Sequence, residues 1–233
     1  MSVQPAQNPK LNIICEDGPV IAVNKPSGVI SQGAPAGLQS LAEQVKAYLK
    51  VKYNKPGVVY LGIPHRLDRP VSGVSVFARN SKSAARLSDQ FAKRQVTKTY
   101  RAILEKPPTK DEGVLEDWIY RIPDHSRVEI SNASTKGAKH ARLTYRTLAV
   151  SQGKALVEVD LETGRMHQIR IQFASRGYHI LGDEKYGANS KLRNPIAIGL
   201  HAWQLSLIHP IRKEPLTITA PQPEEWGRLG FGF

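Results

Sequence analysis

The chain has 233 residues, of which 40% are hydrophobic and 23% charged. That is the composition of a globular protein able to bury a full core, not of a disordered one. Lys and Arg number 33 against 20 Asp and Glu, a formal charge of +13, which favours polyanionic partners over basic ones.

No apolar run approaches the roughly 20 residues of a membrane helix, and the N-terminal MSVQPAQNPK lacks the apolar centre of a secretory signal. A single cysteine, Cys15, leaves no internal disulfide and fits a reducing compartment. The expected location is the cytoplasm.

In chain order, Leu11 to Cys15 and Val20 to Asn24 read as short apolar strands around a Glu-Asp-Gly-Pro turn, followed by the loop-forming string Lys25-Pro26-Ser27-Gly28. Ser40 with Glu43 makes a capping box, and Leu41, Val45, Tyr48 and Leu49 continue a helical stripe. Val74 to Ala78 reads as a strand. Ser81 is placed to cap a helix with Ala84, Leu87, Phe91 and Ala92 on its apolar side. Tyr100 to Leu104 reads as a strand, the acidic segment up to Ile130 as hairpins and loops, and Arg142 to Val150 and Ala155 to Leu161 as further strands. In RMHQIRIQFASRG, Met166, Ile169 and Phe173 fall at helical spacing, with Gly177 to end the helix. Mixed strands with three helices predict one α+β domain, with 1–10 as a flexible N-terminal segment, 11–221 as the catalytic domain and 222–233 as a C-terminal tail.

The charge is unevenly spread. Residues 79–106 hold Arg79, Lys82, Arg86, Lys93, Arg94, Lys98, Arg101 and Lys106 against Asp89 and Glu105 alone, whereas 111–129 carry six acids and two basic residues. A segregated positive surface of this kind points to nucleic acid, with a merely solubilising surface as the alternative.

There is no GxxxxGK[ST] or GxGxxG string. Gly73 to Phe77 begins like a nucleophile elbow but lacks its final glycine, and the seven histidines show no metal spacing. Cys15, in an apolar strand, reads as a buried filler. What remains is carboxylate, arginine and tyrosine. Asp68 stands in HRLDRPVSG between Arg66 and Arg69. Guanidinium groups beside a carboxylate favour its ionised form, and an ionised carboxylate can be a covalent nucleophile. A structural ion pair explains the segment equally well. Arg170 in GRMHQIR can point into a half-buried cleft, where it needs an anion such as Asp68. Tyr100, in Lys-Thr-Tyr-Arg, offers a flat ring for stacking or for core packing.

Together these strings resemble the RluA family of RNA pseudouridine synthases over residues 11 to 221. They are Asn24-Lys25-Pro26-Ser27-Gly28, His65-Arg66-Leu67-Asp68 with Ser72-Gly73, Lys98-Thr99-Tyr100, Gly164 to Arg170, Leu181-Gly182-Asp183 with Tyr186, and Leu200-His201-Ala202 followed by His209-Pro210. The resemblance implies an isomerase that turns uridine in RNA into its C-glycoside, on a mixed, mostly antiparallel sheet in two halves flanking a central cleft. It implies no cofactor and no metal. Asp68 matches the catalytic aspartate, Tyr100 the active-site tyrosine, Arg170 the arginine paired with that aspartate, and Arg66 an arginine that displaces the flipped base. Arg69, Lys98, Arg165, His167 and Gln168 are the further candidate RNA contacts. The expected partner is tRNA or rRNA, with no membrane and no obligatory protein partner, so a monomer. A stand-alone member without an S4-type RNA-binding domain is the nearest match.

One departure is Val71, where the family commonly has threonine. The chemistry implied extrudes the base from its stack. The carboxylate then attacks C1′, takes the 2′ proton, or attacks C6, and the sequence leaves these three routes open. Two other readings stand beside it: an RNA-binding protein without turnover, and a glycosidase, which needs a second acid within roughly 5 to 9.5 Å of Asp68.

Overall fold

The computed structural model describes residues 11–232, so the N-terminal segment 1–10 lies outside the described residues. The first strands are β1 (Ile13–Asp17), β2 (Val20–Lys25) and β3 (Ser72–Ala78), with helix α1 (Leu41–Lys52) between the second and third. Helix α2 (Ser81–Ala92) leads to β4 (Thr97–Leu104), β5 (Glu112–Arg121), β6 (Val128–Ser131), β7 (Lys139–Ser151) and β8 (Lys154–Leu161). Helix α3 (Gln168–Ala174), β9 (Leu200–Ile208) and β10 (Pro215–Thr219) complete the order. One mixed sheet runs β1-β2-β3-β9-β4-β8-β7-β5-β6, with β10 added to β9. Every pairing is antiparallel except that of β3 with β9. The expected α+β sheet is present.

Alternation along each strand sorts side chains between the two faces. Ile21, Val23 and Phe77 pack on Leu41, Val45 and Leu49 of α1, while Val20, Ala22, Val74 and Val76 pack with Ala84 and Leu87 of α2. Both faces of β2 are thereby covered, which is why it reads as an unbroken apolar run. In the other half, Ala102, Leu104, Val157 and Val159 pack on Ile169 and Phe173 of α3. The opposite face, with Ile103 and Leu156, is closed by Trp226 and Phe231.

The α1 capping box forms as expected: Ser40 Oγ accepts from Glu43 N (3.3 Å) and Ser40 N donates to Glu43 Oε2 (2.7 Å). Helix α2 is capped by Asn80, not Ser81; the amide oxygen of Asn80 accepts from Ser83 N at 2.8 Å and Ser81 is the first helical residue. Met166 does not join the α3 stripe. His167 takes a left-handed φ of 52°, the helix starts only at Gln168, and Met166 is left exposed. Cys15 is half-buried rather than enclosed, and burial raises its thiol pKa. Residues 222–232 do not behave as a tail. They form a short 3-10 helix (Glu224–Leu229) whose Trp226 is 1% exposed.

The two halves of the sheet meet at a narrow seam. Strand β3 touches β9 through only Ser72 opposite His201 and Gly73 opposite Ala202. Gly73 has φ of 114°, and a Cβ there would lie 2.2 Å from the Ala202 carbonyl oxygen, so no other residue fits. Beside it, Ser72 Oγ bonds His201 Nδ1 at 2.8 Å and His201 Nε2 bonds the Ala220 carbonyl at 3.3 Å. The carbonyl can only accept, so Nε2 carries the proton and Nδ1 accepts from the serine hydroxyl.

Two outcomes are expected. Trp226→Ala should cost about 3–5 kcal/mol, read as a lowered denaturation midpoint, because it empties a buried site. Burial, with an added push from Arg101, lowers the His201 pKa from 6.5 to about 4. The folded value lies below the unfolded one, so this stability is complete above pH 6.5 and is lost as pH falls towards 4. Thermal melts across that window should fall, by up to about 3 kcal/mol from this one histidine.

Candidate active site

Asp68 lies on the loop that leads into β3, and residues 25–31 hold that loop from beneath. The backbone of Leu67 is pinned at both ends by Ser31, whose Oγ donates to Leu67 O (2.6 Å) and accepts from Leu67 N (3.3 Å). Gly28 N donates to Arg69 O (2.8 Å). Lys25, fully buried, donates its ammonium hydrogens to the carbonyls of Pro26 (3.1 Å), Val29 (2.8 Å) and Arg69 (3.2 Å). Burial lowers the Lys25 pKa to about 7 against the pull of the Asp68 charge. Leu67 and Val71 anchor the loop in the apolar cluster under α3. Val71 is therefore a packing residue at 3% exposure, which accounts for an apolar side chain there.

The sequence neighbours of Asp68 do not pair with it. Arg66 and Arg69 are exposed; Arg69 Nε donates instead to Gly28 O at 3.0 Å. The guanidinium that reaches the carboxylate comes from α3, where Arg170 Nη1 lies 3.3 Å from Asp68 Oδ2. His167 Nε2 lies 3.3 Å from the same oxygen. Both contacts fall on Oδ2. Among the described residues Oδ1 has no partner, and the side chain is 35% exposed. One oxygen is held and the other is presented.

Arg170 is itself fixed by a second acid. Its Nε and Nη2 each donate to Asp183 at 2.7 Å, one to each carboxylate oxygen, and both residues are buried. Burial alone would lower the arginine's pKa, but the Asp183 bonds and the Asp68 charge outweigh it and hold the cation firmly charged. The Tyr186 ring lies against the guanidinium at 5.1 Å to the centroid. Asp183 is therefore committed to Arg170 and unavailable as the acid–base partner a glycosidase would need.

His167 belongs to the same network. Burial lowers its pKa to about 4 despite the nearby Asp68, so it is neutral and carries one ring proton. Nδ1 bonds the Tyr186 hydroxyl at 2.7 Å, and the hydroxyl oxygen accepts from Val128 N at 3.1 Å, so the β6 backbone and Tyr186 together fix the ring that faces Asp68.

Tyr100, on β4, is half-buried and its hydroxyl has no hydrogen-bond partner among the described residues. Burial first, and then the Asp68 charge, push its pKa up, so the phenol stays neutral. The site thus offers a flat uncharged ring beside an anionic carboxylate.

Of the expected RNA contacts, Gln168 is misplaced. It is 3% exposed, and its amide is spent inside the preceding turn, accepting from Thr163 Oγ1 (2.8 Å) and Arg165 N (3.0 Å) and donating to Arg142 O (3.2 Å). His167 faces Asp68 and not the surface. Arg165 is half-buried, with Nε bonded to His140 O at 2.8 Å, and Lys98 is half-buried on the same strand as Tyr100. Asp183, Tyr186 and Lys25 all stood in the recognised strings, but nothing local assigns them partners. A cavity of about 320 Å³ lined by Lys25, Ser72, His201 and Trp226 lies elsewhere, and Asp68, Tyr100 and Arg170 do not line it. Among the described residues no cluster of three or more His, Cys, Asp or Glu could hold a metal ion, and no helix is long and apolar enough to cross a membrane.

A carboxylate presented by one oxygen beside a neutral aromatic ring, on a mixed sheet in a chain of net charge +13, is able to serve covalent or proton chemistry. A family model described as RNA pseudouridylate synthase matches residues 19–175. A protein of Zymomonas mobilis named an RNA pseudouridine synthase is 36% identical over 217 residues, covering 92% of this chain and 95% of that one. Ribosomal large subunit pseudouridine synthase D of Xylella fastidiosa is 34% identical over 239 residues, covering 96% and 69%. The solved structure of human RNA Pseudouridylate Synthase Domain Containing 4 superposes with a TM-score of 0.76 at 27% identity, covering 94% and 93%. The chain belongs to the RluA-type RNA pseudouridine synthases, and it is an isomerase acting on uridine in RNA.

Asp183→Ala should leave a buried guanidinium with half its partners and cost about 3–5 kcal/mol, read by denaturant unfolding. Isomerisation should fall with it even where the variant remains folded, because Arg170 loses its fixed orientation.

Proposed function

We propose that Asp68 is the catalytic group and that Oδ1 is its reacting atom. The observation that carries this is the one-sided setting of the carboxylate: Arg170 donates to Oδ2 and His167 Nε2 lies 3.3 Å from the same oxygen, while among the described residues Oδ1 has no partner. In the reaction the C1′–N1 bond breaks, a C1′–C5 bond forms, C5 loses its proton and N1 gains one. Atoms and electrons balance without a redox partner. Asp68 serves any of the three routes, as nucleophile at C1′ or C6 or as base at the 2′ carbon, and in each the attacking oxygen must be free of donors. Tyr100, kept neutral, supplies the face on which the flipped base rests. Arg66, exposed one turn of chain before Asp68 and without a partner among the described residues, is free to fill the gap the base leaves.

The substrate in this reading is a uridine in ribosomal RNA first and transfer RNA second, since relatives from Xylella and Zymomonas carry the ribosomal name. The enzyme acts in this reading as a monomer in the cytoplasm; the single cysteine of the sequence supports the reducing compartment.

The test is tritium release from ribosomal and transfer RNA labelled at uridine C5. The wild-type protein should release tritium from one of the two pools. Asp68→Asn should bind RNA as before and release none; turnover by that variant would overturn the assignment.

A further inference from the structure

Outside the carboxylate network, Arg94, Lys98 and Arg165 lie near enough to act on one another's charge, and among the described residues no ion pair neutralises them. Lys98 lies two residues before Tyr100 on β4, so both side chains emerge on one face, about 7 Å apart at a strand's rise per residue. Burial first, then the charges of Arg94 and Arg165, push the Lys98 pKa down. Arg165 is lowered likewise by burial and by Arg94. No ion pair or hydrogen bond from the side chain of Lys98 or Arg94 occurs among the described residues, and Arg165 uses only Nε, on the His140 carbonyl. The nearby acids are engaged elsewhere: Asp160 accepts from Thr99 and Glu162 pairs with Arg142.

Two backbone features build the cluster. Gly164 abuts Lys98, and a Cβ there would lie 3.2 Å from the Lys98 ammonium, so the glycine keeps that nitrogen's place open. Arg94 closes α2 in a Schellman arrangement, with Arg94 N donating to Phe91 O (3.2 Å) and Gln95 N to Gln90 O (2.9 Å). Its φ of 57° is one that glycine ordinarily fills at this position. An arginine stands there instead, four residues before Lys98.

We propose that Arg94, Lys98 and Arg165 form a binding site for a single RNA backbone phosphate, flanking the uridine seated on Tyr100. This rests on the reading of Asp68 and Tyr100 as the uridine site and adds the anchor that sets the register of the strand. A phosphodiester relieves the mutual repulsion of the three groups and meets the guanidinium hydrogens left free on Arg94 and Arg165.

The test is the salt dependence of binding to an oligouridylate of about 12 nucleotides, measured on Asp68→Asn protein so that no turnover intervenes. One phosphate on a single strand contributes about 0.7 to the slope of log K against log salt. The triple variant Arg94→Gln, Lys98→Gln, Arg165→Gln should reduce the slope by about that amount. The charge-conserving set Arg94→Lys, Lys98→Arg, Arg165→Lys should keep it, which controls for folding. Neutralising Lys46, Lys50 and Lys55 to glutamine removes the same charge away from the site and should leave the slope unchanged. A loss near 2 from the first triple would mean three separate phosphates, and no loss, or an equal loss from the second triple, would mean a general electrostatic surface. Each of those results overturns the proposal. Tritium release by the wild-type protein tests the uridine reading separately, so the two can fail independently.

Discussion

The closest constraint in the molecule is the approach of Gly73 to Ala202. Two sheet halves, each with its own helices and apolar cluster, are joined where β3 runs parallel to β9 for just two register pairs. A side chain at residue 73 would collide with backbone, not with something that can yield, so the join depends on the absence of a Cβ. Everything catalytic hangs from it. The Asp68 loop enters β3 one residue before the Ser72–His201 bond, and Tyr100 stands directly opposite Ala202 on the neighbouring strand. A shift at the seam would therefore move the carboxylate and the ring relative to each other.

Across that seam, charge is arranged unevenly on purpose of geometry. Arg170 gives two short bonds to buried Asp183 and one long contact to Asp68. A buried guanidinium with a single carboxylate partner would bind that carboxylate closely and quench it as a reagent. With Asp183 supplying the close bidentate pair, Arg170 can approach Asp68 from 3.3 Å without saturating it. His167 plays the same part with a neutral dipole in place of a charge. Both groups are fixed by deeper bonds before substrate arrives, so little reorganisation accompanies the reaction.

Local chemistry was legible in the sequence, and of the long-range pairings at the site only that of Asp68 with Arg170 was. The Ser40–Glu43 box and the unbroken apolar run of β2 depend on residues within one turn or strand, and both stand as read. Asp68 stood out in its segment without being settled by it: the flanking Arg66 and Arg69 turn outward, and the guanidinium that reaches it is Arg170, 102 residues away, the partner expected from GRMHQIR. Gln168 and Met166 exchanged places for one local reason, the left-handed backbone at His167, which a helical repeat does not reveal. Trp226 carries no periodic pattern at all. Its burial follows from a sheet face that only a later segment was left to cover.

The loop beneath Asp68 shows how the recognised strings divide their work. Lys25, Ser31 and Val71 are all buried, and each fixes a different feature of the loop: a carbonyl, a peptide unit and an apolar anchor. A buried ammonium satisfied by three carbonyls is replaceable by no neutral residue of similar length without leaving those oxygens unpaired. The Lys25-Pro26-Ser27-Gly28 string is thus constrained by backbone geometry, where the proposed role of Asp68 constrains HRLD by reactivity. The two lie close together because a carboxylate can be kept free of close partners only if the chain that carries it is held by something else.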